Sequence, residues 1–171
     1  MKNIVLIGMP ATGKSTVGVI LAKLMGFDFI DTDVIIAAQQ RRPLPQIVAD
    51  EGYERFIEIE GGVGESIKCE NTVIATGGSM IFSPAAMEKL SADGVVIWLK
   101  TPLNELKRRL ERTFTCRGVA TPKSMTVEEI YEMRKPIYEK YAQLSIDCAG
   151  STEDIAQSIK DVIFAENGRI C

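Results

Sequence analysis

Gly8-Met9-Pro10-Ala11-Thr12-Gly13-Lys14-Ser15 is a complete G-x-x-x-x-G-K-[ST] loop, and it limits what this chain can fold into more than any other stretch. It directly follows the apolar run Ile4-Val5-Leu6-Ile7 and directly precedes a helical pattern over residues 17–25. Strand, glycine loop and helix in that order build an anion cradle: the backbone wraps a phosphate, successive N–H groups point inward, and the helix adds the positive end of its dipole. The expected ligand is a nucleoside triphosphate held by Ala11, Thr12, Gly13, Lys14, Ser15 and Thr16. In that arrangement Lys14 reaches the β- and γ-phosphates and the Ser15 hydroxyl holds Mg2+.

The rest of the chain fits one α/β domain over residues 1–171. Apolar runs suited to buried parallel strands fall at 3–8, 27–31, 72–75, 95–100 and 144–148. Helical periodicity fills 14–25, 45–50, 53–67, 84–90, 103–112, 127–143 and 153–165. Strands alternating with helices indicate a parallel sheet covered on both faces. Local signals set several boundaries. Gly26 suits a left-handed C-cap, Ser83-Pro84 and Thr101-Pro102 read as N-caps followed by proline at the first helical position, and Thr126 with Glu129 offers a capping box. Residues 113–124 lack such regularity and carry Gly118 and Pro122, which makes the stretch of about 112–125 a candidate mobile lid.

Composition removes whole classes of chemistry. Histidine is absent, so Ser-His and Cys-His nucleophiles and His-ligated metals are excluded, and any proton acceptor is a carboxylate or lysine. The four cysteines, Cys69, Cys116, Cys148 and Cys171, have no metal spacing and read as reduced thiols. A formal net charge of −3 argues for small-molecule ligands over nucleic acid. With no signal peptide and no apolar run approaching the ~20 residues of a membrane span, the expected setting is cytoplasmic with no membrane partner.

A phosphate loop alone does not separate a kinase from a switch or a motor. No Asn-Lys-x-Asp reads guanine, and the apolar strands at 95–100 and 72–75 do not end in the acidic residue by which motor ATPases hold Mg2+. A compact kinase of nucleotides or small metabolites remains. Asp31-Thr32-Asp33 follows the second strand, at the carboxyl end where open α/β sheets bind ligands. If the segment stays extended, alternate residues point one way and the two carboxylates face one region, one for Mg2+ and one for the proton of an attacking hydroxyl. In the basic run Lys107-Arg108-Arg109, a solvated helix face accounts for all three. Arg112 and Arg117 flank the start of the lid, and Arg117 suits charge neutralisation on the transferring phosphoryl group.

In order along the chain, these residues resemble the shikimate kinase family. Its pattern is a phosphate loop, Asp-x-Asp, Gly-Glu-x-x-Phe-Arg-x-x-Glu, Gly-Gly-Gly after a strand, lid arginines and Arg-x-x-x-Tyr. The matches are residues 8–16, Asp31 and Asp33, Gly52 with Phe56 and Glu60, Gly77-Gly78, Arg112-Thr113, Arg117, and Arg134 with Tyr138. The resemblance implies a P-loop kinase fold with a five-stranded parallel sheet of order 2-3-1-4-5, an acceptor-binding helical region at about 32–62, and a monomer. It further implies MgATP as donor and the 3-hydroxyl of shikimate as acceptor. Ser15 and Asp31 are then the magnesium residues, Asp33 the acceptor-side base, Gly77 and Gly78 donors of backbone N–H groups to substrate, and Arg134 the carboxylate ligand. Arg112 packs on adenine, residues 149–152, Ser151 among them, close over the base, and Arg117 is the lid arginine.

The chain departs from the pattern mainly on the acceptor side. Ile57 stands where the pattern has arginine, Tyr53 where it has glutamate, Ser79 in place of the third glycine, and Gly118-Val119-Ala120 in place of Pro-Leu-Leu. Losing a hydrogen bond to a charged group costs about 1.5 to 3 kcal/mol, so an unreplaced arginine weakens carboxylate binding by about 10- to 150-fold. Arg55 lies about 200° around the helix from Ile57 and is poorly placed to substitute, which leaves Arg41 or Arg42 as replacements, or a different hydroxylated acceptor. A nucleotide-binding regulatory homologue with a decayed acceptor pocket is the alternative outside enzymes.

Overall fold

All five residues of β1 (Asn3–Ile7) are buried, which requires cover on both faces of the strand. The computed structural model describes residues 2–111 and 125–167. The remaining elements are α1 (Lys14–Met25), β2 (Asp28–Asp31), α2 (Thr32–Gln40), α3 (Leu44–Glu51), α4 (Tyr53–Ser66), β3 (Thr72–Ala75), a 3-10 turn (Met80–Phe82), α5 (Pro84–Asp93), β4 (Gly94–Lys100), α6 (Leu103–Glu111), α7 (Val127–Tyr141), β5 (Leu144–Asp147) and α8 (Thr152–Asn167). The strands form one parallel sheet of order β2-β3-β1-β4-β5, the order that the family resemblance implies.

Alternation along the central strands divides the core in two. Ile4 and Leu6 of β1, with Ile97 and Leu99 of β4, pack against Val17 and Leu21 of α1 and Ile155, Ile159 and Ile163 of α8. Val5 and Ile7, with Val96 and Trp98, face the other way onto Met87 and Leu90 of α5, Leu106 of α6, and Ile130 and Tyr138 of α7. This is the period-two consequence of a sheet buried on both sides. A third, smaller core of Ile36, Ile47, Phe56 and Val63 ties α2, α3 and α4 together beside the β2 edge.

The local signals act largely as read. Gly26 closes α1 in the left-handed region at φ 69°, the Ser83 side chain accepts from the Ala86 N–H, and Thr126 and Glu129 form a reciprocal capping box. Two readings need correction. Helix α6 opens at Leu103, with the Pro102 carbonyl accepting from the Leu106 N–H, so proline stands just before the helix and not inside it. The segment after β2 does not stay extended either: Thr32–Gln40 is helical, because the Asp31 side chain caps it by accepting from the Asp33 N–H at 2.9 Å. Its Val34-Ile35-Ile36 run gave no helical period to read.

Candidate active site

The phosphate loop leaves the carboxyl end of β1 and enters α1, with Ala11 at φ 64° and Gly13 at φ 98°. Left-handed residues interleaved with right-handed ones turn backbone N–H groups toward a common centre. Lys14 is buried, and its Nζ donates to the Gly8 carbonyl at 2.8 Å and the Met9 carbonyl at 3.0 Å. Burial lowers its pKa to about 8; Asp33, Glu60 and Asp31 oppose that shift and Arg134 adds to it. The ammonium is therefore still mostly charged at neutral pH, in a desolvated position where its field is strong. Ser15 and Thr16 occupy the exposed first turn of α1.

A second cluster meets this loop from the β2 side. Asp33, in the first turn of α2, and Glu60, on α4, both press against Gly77 just beyond β3. A Cβ placed at Gly77 would lie 2.6 Å from Asp33 Oδ1 and closer still to Glu60 Oε1. At Gly78 a Cβ would meet Pro10 Cγ at 2.8 Å and Arg134 Nη1 at 3.1 Å. The glycine pair is thus where loop, α2, α4 and α7 approach one another, and side chains there would fill the space between them. The Gly77 N–H donates to Thr32 Oγ1 at 2.8 Å. It is not turned to a substrate as the sequence suggested, and what Gly77 supplies is clearance.

Arg134 is fully buried, with its guanidinium 5.4 Å from the centre of the Phe82 ring. One turn later Tyr138 stacks on Trp98 at 5.4 Å and 23°. Burial pushes the Tyr138 phenol up to about 12, against the pull of Arg134. Glu60 is likewise fully buried. Burial and then Asp33 push its pKa up to about 8, while Arg134, the Ser79 backbone N–H and Lys14 act the other way. At neutral pH Glu60 is therefore largely uncharged. Lys14 and Arg134 are then set against the Asp33 and Asp31 carboxylates.

The two aspartates come together by a different route from alternation along a strand. Asp31 ends β2 as the cap of α2 and Asp33 follows inside the helix, yet both lie close enough to Lys14 to act on its charge. Ser151 opens α8 in a reciprocal cap, donating from its Oγ to Asp154 Oδ2 at 2.7 Å and accepting from the Asp154 N–H at 3.1 Å. Arg112, Arg117 and the expected lid lie outside the described residues apart from Met125.

Sequence reading missed the place of Arg109. It does not belong to a solvated face: Nη1 donates to the Ala11 and Thr12 carbonyls at 3.3 and 3.2 Å, and Nε to Glu105 Oε1 at 2.7 Å, so α6 grips the phosphate loop. Only the tertiary approach of α6 separates it from its exposed neighbour Arg108. Neither suggested replacement, Arg41 or Arg42, faces the cluster, and nor does Arg55. Arg42 pairs with Asp50 and Glu51, Arg55 is exposed and pairs with Glu58 and Glu51, and Arg41 is an exposed left-handed C-cap of α2. Cys69 and Cys148 are free thiols.

A family model described as shikimate kinase matches residues 10–164. A shikimate kinase of Thermodesulfovibrio yellowstonii is 37% identical over 99% of both chains. One of Thermosynechococcus vestitus is 34% identical over 93% of this chain and 86% of its own. Among solved structures, shikimate kinase from Acinetobacter baumannii in complex with shikimate superposes with a TM-score of 0.86 at 30% identity, covering 97% of this chain and 94% of that one. With the strand order and the buried loop lysine, these matches make the conclusion plain: the chain belongs to the shikimate kinase family, ATP-dependent kinases of a small molecule.

Proposed function

We propose that this protein transfers the γ-phosphoryl group of ATP to the 3-hydroxyl of shikimate, acting as a monomeric single-domain enzyme in the cytoplasm. The observation that carries this reading is the convergence of Asp33, Glu60 and Arg134 about Gly77 and Gly78, within electrostatic reach of the buried Lys14. The backbone of residues 11–16 and the Lys14 ammonium hold the triphosphate, and Arg134 binds the acceptor carboxylate. Asp33 orients the acceptor hydroxyl and takes its proton. As the hydroxyl oxygen bonds to the γ-phosphorus, the bond from that phosphorus to the β–γ bridging oxygen breaks, and ADP leaves with that oxygen. Arg112 and Ser151 border the adenine, and Arg117 neutralises the transferring group.

Ser15 and Asp31 suit Mg2+, a hard cation that takes oxygen donors and usually keeps one or two protein groups beside phosphate oxygens and water. Among the described residues no three His, Cys, Asp or Glu side chains converge as a metal cage, and the hydroxyl-plus-carboxylate pair fits that sparser mode. Bound there, Mg2+ supplies charge neutralisation on the phosphate oxygens.

Ile57 favours one second reading, a related hydroxylated acceptor whose carboxylate is absent or held differently. ADP release measured with MgATP, with and without shikimate, separates the two. Shikimate-dependent turnover supports the first; turnover only with other alcohols supports the second. Tight ATP binding without turnover on any alcohol points instead to a regulatory nucleotide-binding protein.

A further inference from the structure

Tyr53 opens α4 on the same helical face as Phe56, Ile57 and Glu60, at the spacing i, i+3, i+4, i+7. Its ring packs on the apolar cluster of Ile36, Ile47, Phe56 and Val63, which limits where the hydroxyl can go. That hydroxyl is buried and has no hydrogen-bond partner among the described residues. A hydroxyl shut away from water and bonded to nothing is disfavoured, so this one calls for a partner that the protein itself does not supply.

The direction of the side chain follows from its helix. Glu60, two turns on along the same face of α4, meets Gly77, and Arg134 meets the adjoining Gly78, so this face is turned to the cluster. Tyr53 therefore lies on the side of α4 that faces the guanidinium, where an acceptor carboxylate would sit. The arginines of α4 and of the turn before α3 are directed elsewhere: Arg42 and Arg55 are paired with surface carboxylates, and Arg41 is exposed. Ile57, one turn after Tyr53, brings no donor.

We propose that the Tyr53 hydroxyl donates a hydrogen bond to the carboxylate of the acceptor, supplying with Arg134 the second contact that arginine supplies elsewhere in the family. This rests on the placement of the acceptor site at Arg134 and Asp33. It makes Tyr53 a substrate-binding residue, with a neutral donor in the place of a charged one.

The test is Tyr53→Phe, which keeps the ring and its packing. Steady-state kinetics and calorimetric binding are measured with shikimate and with its methyl ester. Removing a donor to a charged group is expected to raise the KM and Kd for shikimate by about 10-fold or more, with kcat and the KM for MgATP within about twofold. The ester carries no charge there, so its Phe-to-Tyr ratio is expected to fall to about two. An unchanged shikimate KM and Kd, or an equal loss on acid and ester, overturns the role of Tyr53 while the site itself stands. If the parent protein neither binds nor phosphorylates shikimate, the acceptor-site reading and this one fall together.

Discussion

Asp33 and Glu60 bring two carboxyl groups to one face of Gly77, and the absence of a side chain there is what lets them coexist. A methyl group on Gly77 would come within 2.6 Å of Asp33 Oδ1 and nearer to Glu60 Oε1. Neither neighbour can yield freely, since Glu60 is fully buried and Asp33 is held in the first turn of α2. Gly77→Ala is therefore expected to lower kcat/KM for shikimate by about 100-fold and to cost roughly 1 to 3 kcal/mol of stability from overpacking. MgATP affinity should change little. Kinetics and urea denaturation of the variant check this; a variant with normal shikimate kinetics contradicts the crowding.

Glu60 makes stability depend on pH. Its folded pKa of about 8 lies above the ordinary carboxylate value, chiefly through burial and then Asp33. A carboxyl raised in this way binds more protons folded than unfolded. Its contribution is full below the unfolded pKa and is lost as pH rises through the folded one. The protein is expected to lose stability from about pH 5 to pH 8, by at most about 1.4 kcal/mol per pH unit from this group. Lys14, lowered to about 8, acts with the opposite sign only above that range. In urea titrations across that window Glu60→Gln should give the flatter profile, and parallel profiles would refute the assignment.

Arg109 fastens α6 to the phosphate loop through the Ala11 and Thr12 carbonyls. Arg109→Ala removes both hydrogen bonds to the loop, at about 0.5 to 1.5 kcal/mol each, together with the pair to Glu105. The KM for MgATP is expected to rise by about 3- to 10-fold with the KM for shikimate unchanged. Equal effects on both substrates would mean that the loop and the acceptor cluster are not separable.

Restoring the arginine of the family pattern by Ile57→Arg adds a cation to α4 one turn before Glu60. A charge-assisted bond to the acceptor carboxylate should lower the shikimate KM by about 10-fold. An unchanged or higher KM would show that position 57 does not face the carboxylate.

The phosphate loop was legible because its chemistry is local. A strand, a glycine loop, Lys14 and a helix adjoin one another in the chain, and their sequence order is their spatial order. The sheet was legible for a similar reason, since β1 and β4 are near-continuous apolar runs of the kind a two-faced sheet demands. Helix α2 was not: Val34-Ile35-Ile36 has no helical period, and the helix exists because Asp31 caps it. Nor could sequence order show that α6 leans on the phosphate loop, which gives Arg109 a role that Arg108 lacks. The second cluster is assembled from α2, α4, the Gly77-Gly78 turn and α7, so Asp33, Glu60 and Arg134 acquire their relation only when the chain is folded.

The central claim is that Asp33 serves the acceptor and not the metal. Asp33→Asn keeps the size of the side chain and removes its capacity to take a proton. Turnover with shikimate and calorimetric binding of MgATP to this variant test the claim most directly. The account predicts a fall in kcat of about 100- to 10,000-fold with MgATP affinity within about twofold of the parent. A parallel loss of MgATP binding, or turnover near the parent rate, would contradict it.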